Sequence, residues 1–332
     1  MKKIIFFFIL CGLLMTIGCG SDDNGSGPDE TPTVVANTTV ATAPTMSSPN
    51  ESVWTSVAEY GLDLSSTINP VSPYAKPAIV SDSVYVKAIV KNDTLYLRLR
   101  WNDDDYTVWR DYFEVATTIP ALNFVWQGGE FMGNHEDQLY VMFDATPEGG
   151  TEVWDTWNWR VLTTDAEGIG GLAEGMRFRN DSLIPDEGSV SPATRNTAIV
   201  GTQPTYVHRD TSEYEGYILQ IDSITSSYAS TSGWTVGQKV PGWIIDRSLK
   251  NDANPASRRK SRFDIKAVSD YDDETNEYTV VLARALNTGY EDDLNMSATT
   301  SYTAKIVVLN NLYDINRGGT NRGITVDFVL SR

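Results

Sequence analysis

Val84-Tyr85-Val86-Lys87-Ala88-Ile89-Val90, then Lys91-Asn92-Asp93, then Thr94-Leu95-Tyr96-Leu97-Arg98-Leu99-Arg100-Trp101, is the stretch that decides the fold. Val84, Val86, Ala88 and Val90 share one face of the first run. Leu95, Leu97, Leu99 and Trp101 share one face of the second, with the arginines opposite. A period of two is that of a strand with one buried face, and a three-residue polar turn between two such runs predicts a β-hairpin. Outward from there, the same reading predicts strands at Gln138–Phe143, Val153–Val161, Tyr214–Ile221, Phe263–Val268, Tyr278–Arg284, Tyr302–Leu309 and Ile324–Leu330. Only Asp111–Ala116 reads as a short helix. Many alternating strands separated by Gly/Asp/Asn/Pro-rich connections predict an all-β fold, an antiparallel β-sandwich, in one domain over 52–332. Two connections, Asp103–Gly133 and Arg177–Arg209, are long enough to suggest function rather than mere linkage. The first carries Trp109, Tyr112, Phe113, Phe124, Trp126 and Phe131, and is expected to pack down and wall a pocket. The second is polar and Pro-punctuated, and is expected to be a mobile surface loop.

The 332 residues are 41% hydrophobic, ample for one large core. With 26 Lys+Arg against 44 Asp+Glu, the formal net charge of −18 repels phosphate backbones, which excludes nucleic acid as a partner. Cys11 and Cys19 are the only cysteines, and neither lies in the predicted domain. Structural disulfides, cysteine zinc sites, iron–sulfur clusters and covalently attached haem are thereby excluded. Lys2-Lys3 followed by the apolar run Ile4–Met15 reads as a signal peptide over 1–18, too short for a membrane span. The Gly18-Cys19 ending resembles a bacterial lipobox, with Thr16 where leucine is usual, and implies a lipid on Cys19. Residues 19–51 are rich in Ser, Thr, Pro and Gly without periodicity, which predicts a disordered tether with a reach of roughly 30 Å. Ser21-Asp22-Asp23 is similar to the acidic export tag of surface-exposed lipoproteins. The expected location is therefore the cell envelope, lipid-anchored to the outer membrane and facing outward.

Several patterns carry no chemistry. His135 and His208 are the only histidines, too few for a histidine-built metal site. His208-Arg209-Asp210 matches a kinase catalytic loop by accident, because neither a Gly-rich loop nor a lysine strand accompanies it. Gly168-Ile169-Gly170-Gly171 follows no buried parallel strand, as a dinucleotide fingerprint must. Asp103-Asp104-Asp105, Asp272-Asp273-Glu274 and Glu291-Asp292-Asp293 lack the alternate spacing and glycine of a calcium loop, and read as solvated turns. Aromatics are the informative excess, with nine Trp and sixteen Tyr. Trp157 and Trp159 share one face of a strand, with Asn158 opposite. Core packing is the bland reading; a flat ligand held against indole faces is the sharper one.

The chain resembles the ethylbenzene dehydrogenase-type haem-binding domain, shared with dimethyl-sulfoxide-reductase-like gamma subunits. The likeness rests on Val84–Ala88 with Leu95–Asp103, on Glu136–Asp144, on Trp154–Arg160, on Val280–Leu286 followed by Asp293, and on the two final strands. It covers 82–178 and 263–330. What it implies is a β-sandwich, of the immunoglobulin-like or carbohydrate-binding-module-like kind, that holds haem b non-covalently. Such a protein transfers electrons with a redox partner or oxidoreductase subunits and is not itself an enzyme. Axial ligands of that family are a Met with a Lys or His. Here Asn158 stands where the cytochrome branch has a His, and Ala145–Glu152 lacks the Met of the gamma-subunit branch. The remaining candidates for iron are Met132 and His135. Met142, Lys266 and Lys305, with Trp157 and Trp159 as walls, complete the candidate haem site. Two alternatives are a cofactor-free carbohydrate-binding module, which holds sugars by stacking on exposed Trp, and a partner-binding subunit of a surface complex.

Overall fold

The computed structural model describes residues 31–64, 83–103, 112–117, 123–127, 136–161, 164, 174–179, 182–185, 194–195, 206–207, 219–220, 236–237, 239–241, 243–244, 261, 264–309 and 323–330. Twelve strands among them build two sheets. In chain order they are β1 (Thr33–Val35), β2 (Tyr60–Asp63), β3 (Ser83–Lys91), β4 (Thr94–Asn102), β5 (Gln138–Asp144) and β6 (Val153–Arg160). Then follow β7 (Glu174–Arg179), β8 (Ser182–Pro185), β9 (Lys266–Asp272), β10 (Glu277–Ala285), β11 (Ser301–Leu309) and β12 (Ile324–Val329). The larger sheet runs β1-β12-β11-β5-β6-β7-β8, and the smaller runs β9-β10-β4-β3-β2. All neighbours are antiparallel except β1 and β12, which are parallel. No α-helix occurs among the described residues.

The alternation read from the sequence is what joins the sheets. Val84, Val86, Ala88, Leu95, Leu97 and Leu99 of the smaller sheet share one core with Leu139, Val141, Phe143, Ile306, Val326 and Phe328 of the larger. Burying a side chain of this size is worth about 1.5–3 kcal/mol each, so this shared core dominates the fold. The hairpin turn is tighter than expected. Lys91 pairs with Thr94, leaving a two-residue turn, Asn92-Asp93, both in the left-handed region at φ of 52° and 54°. Those angles define the type I′ turn whose twist matches a two-residue hairpin, and Asn and Asp tolerate them best after Gly. At the start of β12, Gly323 has φ of +91°, and a Cβ there would stand 2.6 Å from the Ile306 carbonyl oxygen. Only glycine fits that approach.

Three expectations are corrected. Residues 31–50, read as part of a disordered tether, are built onto the sandwich. β1 pairs with β12, and Val40 and Trp54 cover Ile89, Tyr96 and Val281 on the outer face of the smaller sheet. Sheet cations fasten this cover: Lys91 Nζ donates to the Val40 carbonyl at 2.8 Å, and Arg98 Nε to that of Pro49 at 2.9 Å. Backbone carbonyls satisfied by long cationic side chains let a segment poor in large apolar groups pack down. Asp111–Ala116 is not helical: Tyr112–Thr117 is a strand paired with Asn123–Gln127, so the Asp103–Gly133 connection contains a hairpin. The Arg177–Arg209 connection likewise begins in strand, since β7 and β8 pair from Ser182↔Arg179 to Pro185↔Met176.

Candidate functional site

Trp157 and Trp159 face the inter-sheet core and are fully buried. Trp159 meets Trp101 edge-on with centroids 6.0 Å apart and Tyr278 at 5.7 Å, while Trp101 stacks on Tyr278 at 5.1 Å. Trp157 packs on Phe143 at 5.1 Å, and Phe143 on Phe328 at 5.7 Å. The shared face predicted for these two tryptophans is real, and what lies against it is the opposite sheet and neighbouring rings.

Two polar clasps cross the core. Near one end of β10, Tyr278 Oη donates to Asp137 Oδ2 at 2.7 Å. At the other end Arg284, 1% exposed, reaches Asp155 of β6, 2% exposed. Its Nη1 donates to Asp155 Oδ1 and Oδ2 at 3.1 and 2.8 Å, its Nη2 donates to the Leu294 carbonyl at 3.1 Å, and its guanidinium lies 4.9 Å from the Trp157 ring centroid. Asp293 Oδ1 is 3.8 Å from the same Nη1. Burial lowers the basicity of Arg284, and Asp155, Asp264 and Asp293 together more than offset it. One guanidinium therefore lies among three carboxyl groups. Burial, then the Asp293 charge, pushes the Asp264 carboxyl up to about 9, so it holds a proton at neutral pH. Burial raises Asp293 as well.

The sign of the pH dependence follows. Unfolded Asp264 ionises near 3.8 and folded Asp264 near 9. Between those values the folded state binds the extra proton, so its stabilisation is complete below the lower value and lost as pH rises to the upper. The slope approaches at most about 1.4 kcal/mol per pH unit for this one group. Asp264→Asn is expected to be more stable than the parent at pH 8 and to flatten the decline between pH 5 and 9. Urea unfolding at several pH values checks this; an unchanged slope would contradict it.

The outer face of the larger sheet is different in character. Strand register lays three rows across β11, β5 and β6: Lys305, Met142, Thr156; then Val307, Tyr140, Asn158; then Leu309, Gln138, Arg160. Rows on one face of a strand are roughly 7 Å apart. Met142, Tyr140, Val307, Leu309 and Trp154 form an apolar cluster that is buried although it faces away from the inter-sheet core. Tyr140 Oη donates to Gln138 Oε1 at 2.8 Å. The Lys305 ammonium lies 4.6 Å from the Trp154 ring centroid, and burial lowers its pKa, with Glu152 and Asp144 opposing. Asn158 is completely buried, and both its amide nitrogen and its amide oxygen lack a hydrogen-bond partner.

Of the predicted site residues, Met142 lies in this covered face beside Lys305. Lys266 does not join them: it opens β9 of the other sheet, exposed, while its neighbour Ala267 faces the core. Met132, His135 and Cys19 lie outside the described residues, as do His208 and Ile4–Met15. Among the described residues no three His, Cys, Asp or Glu side chains are grouped to hold a metal ion, and no helix is long and apolar enough to cross a membrane. Sequence reading missed the Arg284–Asp155 clasp altogether. Its only signal was a charged residue at an inward position of each of two strands.

The family model described as ethylbenzene dehydrogenase matches residues 51–311, most of the chain and all of the covered face as far as Leu309. No curated protein matches the chain.

Proposed function

Since the chain belongs to the ethylbenzene dehydrogenase family, we propose that it is an electron-transferring subunit that binds haem b non-covalently and serves an oxidoreductase partner at the cell envelope, anchored through a lipid on Cys19. The observation that carries this reading is the donor set on the covered outer face. A thioether, Met142, and an amine, Lys305, are cross-strand partners beside the apolar Tyr140, Trp154, Val307 and Leu309. Either donor type would suit haem iron, with only one of the two able to reach it from this side of the sheet, and the apolar floor suits a porphyrin face. Haem b, when bound, supplies a one-electron iron couple. The chain's part is to exclude water with the Tyr140–Trp154–Val307–Leu309 floor and to offer the Met142 sulfur. Burial also makes the neutral Lys305 amine less costly to form. Among the described residues, the indole rings of Trp157 and Trp159 in the inter-sheet core are packed against other rings, which favours the outer face.

The carbohydrate alternative needs indole faces open to solvent, and the five tryptophans with described side chains, Trp54, Trp101, Trp154, Trp157 and Trp159, are all buried.

Titrating the full-length protein with haemin tests the reading. The expected result is a saturable Soret shift at one equivalent and a low-spin spectrum on reduction. Met142→Leu nearly conserves volume, so it should cost less than about 1.5 kcal/mol of stability while converting the reduced spectrum toward high spin. Met132→Leu and His135→Ala serve as comparison variants. No Soret shift at equimolar haemin would overturn the proposal. A Met142→Leu spectrum identical to the parent would remove Met142 from the ligand set.

A further inference from the structure

Tyr271, Tyr278 and Trp101 lie in one register row that crosses β9, β10 and β4, starting at the edge strand of the smaller sheet. The Tyr271 and Tyr278 ring centroids are 4.8 Å apart, and Tyr278 stacks on Trp101 at 5.1 Å with 24° between the planes. Trp159 of the opposite sheet packs edge-on against both Trp101 and Tyr278. With no cysteine among the described residues, tyrosine and tryptophan are the side chains that give up a single electron most readily. Rings in contact exchange an electron far faster than rings separated by saturated chain, so these four form one continuous path. Its inner members, Trp101, Trp159 and Tyr278, are at most 1% exposed, while Tyr271 is half-buried. The two phenols have different partners. Tyr271 Oη donates to the backbone carbonyl of Asp103 at 2.8 Å, whereas Tyr278 Oη donates to the carboxylate of the fully buried Asp137 at 2.7 Å. A buried carboxylate is a costly way to satisfy a phenol, and the Asp103 carbonyl shows a cheaper one. What a carboxylate offers and a carbonyl does not is a place for the proton. An oxidised phenol is a strong acid, and in a dry core it forms only where a base takes that proton at once. Trp101 has no such base, since its indole Nε1 finds no acceptor among the described residues.

We propose that Tyr278 is a redox-active tyrosine with Asp137 as its proton acceptor, in an aromatic path that carries oxidising equivalents from the core to Tyr271 at the sheet edge. A one-electron oxidant, such as a metal centre oxidised by a peroxide, takes an electron from Trp101 or Trp159. The resulting indole radical cation takes an electron from Tyr278, whose Oη proton moves to Asp137 Oδ2. A neutral tyrosyl radical and a carboxylic acid remain. Tyr271 then supplies an electron to Tyr278, which recovers its proton from Asp137, while the Tyr271 phenol releases its own proton to water. The Tyr271 radical is quenched by one electron and one proton from a dissolved reductant such as a thiol. The outcome is protection: the oxidising equivalent ends on a replaceable molecule outside the fold. The path stands apart from the haem reading, because light places the same radical cation on tryptophan without any cofactor.

Laser photoionisation of tryptophan in the full-length protein, with dissolved oxygen taking the ejected electron, is the test. In the parent, the decay of the indole radical should be matched by a fast rise of a neutral tyrosyl radical, followed by optical absorption and electron paramagnetic resonance. Tyr278→Phe keeps the ring and should lose that fast phase. Asp137→Asn keeps an acceptor oxygen for the phenol but no base, and should slow the same phase. Tyr271→Phe should leave the fast phase intact and lengthen the life of the radical when a thiol is added. A merely structural role would lower the thermal midpoint of these variants and leave the radical kinetics as in the parent. A parent that forms no tyrosyl radical, or a fast phase unchanged in Tyr278→Phe, would overturn the proposal, and parent kinetics in Asp137→Asn would remove Asp137 as the proton acceptor. Should the two buried variants fail to fold, the half-buried Tyr271→Phe decides alone, and a radical lifetime equal to the parent's would overturn the path. Failure to bind haemin leaves every one of these outcomes as it stands, so the two readings fail separately.

Discussion

Arg284→Met is expected to destabilise the protein by about 3–5 kcal/mol at neutral pH, the cost of breaking a buried ion pair from one side. The substitution leaves Asp155, 2% exposed, facing Asp293 and Asp264 with no cation between them, and deprives the Leu294 carbonyl of its donor. Denaturant unfolding at pH 7 measures the loss. The clasp is weak ground for stability in itself, since burying both charges is expensive; it matters because removing one member strands the others. Accordingly, Arg284→Met combined with Asp155→Leu should recover much of the loss, and more so with Asp264→Asn added. A single-substitution cost below about 1 kcal/mol, the size that exposed pairs show, would mean the network is wetter than its geometry indicates.

The second large effect concerns the tryptophans. Trp159→Ala is expected to cost about 3–5 kcal/mol in the ligand-free protein, because its ring contacts Trp101 and Tyr278 from the opposite sheet. Trp157→Ala should cost a similar amount, since Trp157 packs on Phe143 and under the Arg284 guanidinium. If instead these indoles wall a ligand slot, the substitutions would spare ligand-free stability and lower haemin affinity. The comparison decides between cofactor wall and core. Trp154→Ala, on the other face and in contact with Lys305, should show the reverse balance, with a smaller stability loss and a weaker haemin complex.

The sandwich was legible because period-two alternation is a local signal: the inward faces of β3 and β4, and the presence of strands at β5, β11 and β12, read correctly from the sequence. The Trp157–Asn158–Trp159 alternation was equally plain. What spacing cannot supply is the identity of the surface each face meets. Whether Trp159 looks at a porphyrin or at Trp101 depends on pairing between residues far apart in the chain. Arg284 and Asp155 are separated by 129 positions, so no window contains both. The segment 31–50 was misread because its sparse apolar residues, Val34, Ala36 and Val40, become sufficient only when a finished sheet offers them a face and cations for their carbonyls. Tyr112–Thr117 was misread for the opposite reason. Six residues hold too few turns to separate a helix from a strand, and the aromatic and β-branched character of Tyr112, Phe113 and Val115 was the better guide. The orphaned state of Asn158 is likewise invisible in sequence, where an Asn between two tryptophans reads only as a position without an iron ligand.

The whole account turns on which face of the larger sheet carries the cofactor. A crystal structure of the haemin-loaded full-length protein measures this directly. The account predicts a porphyrin lying over Met142, Tyr140, Asn158 and Val307, with the Trp101–Trp159–Tyr278 packing between the sheets unchanged. A porphyrin seated between the sheets, or anywhere away from that outer face, would contradict it.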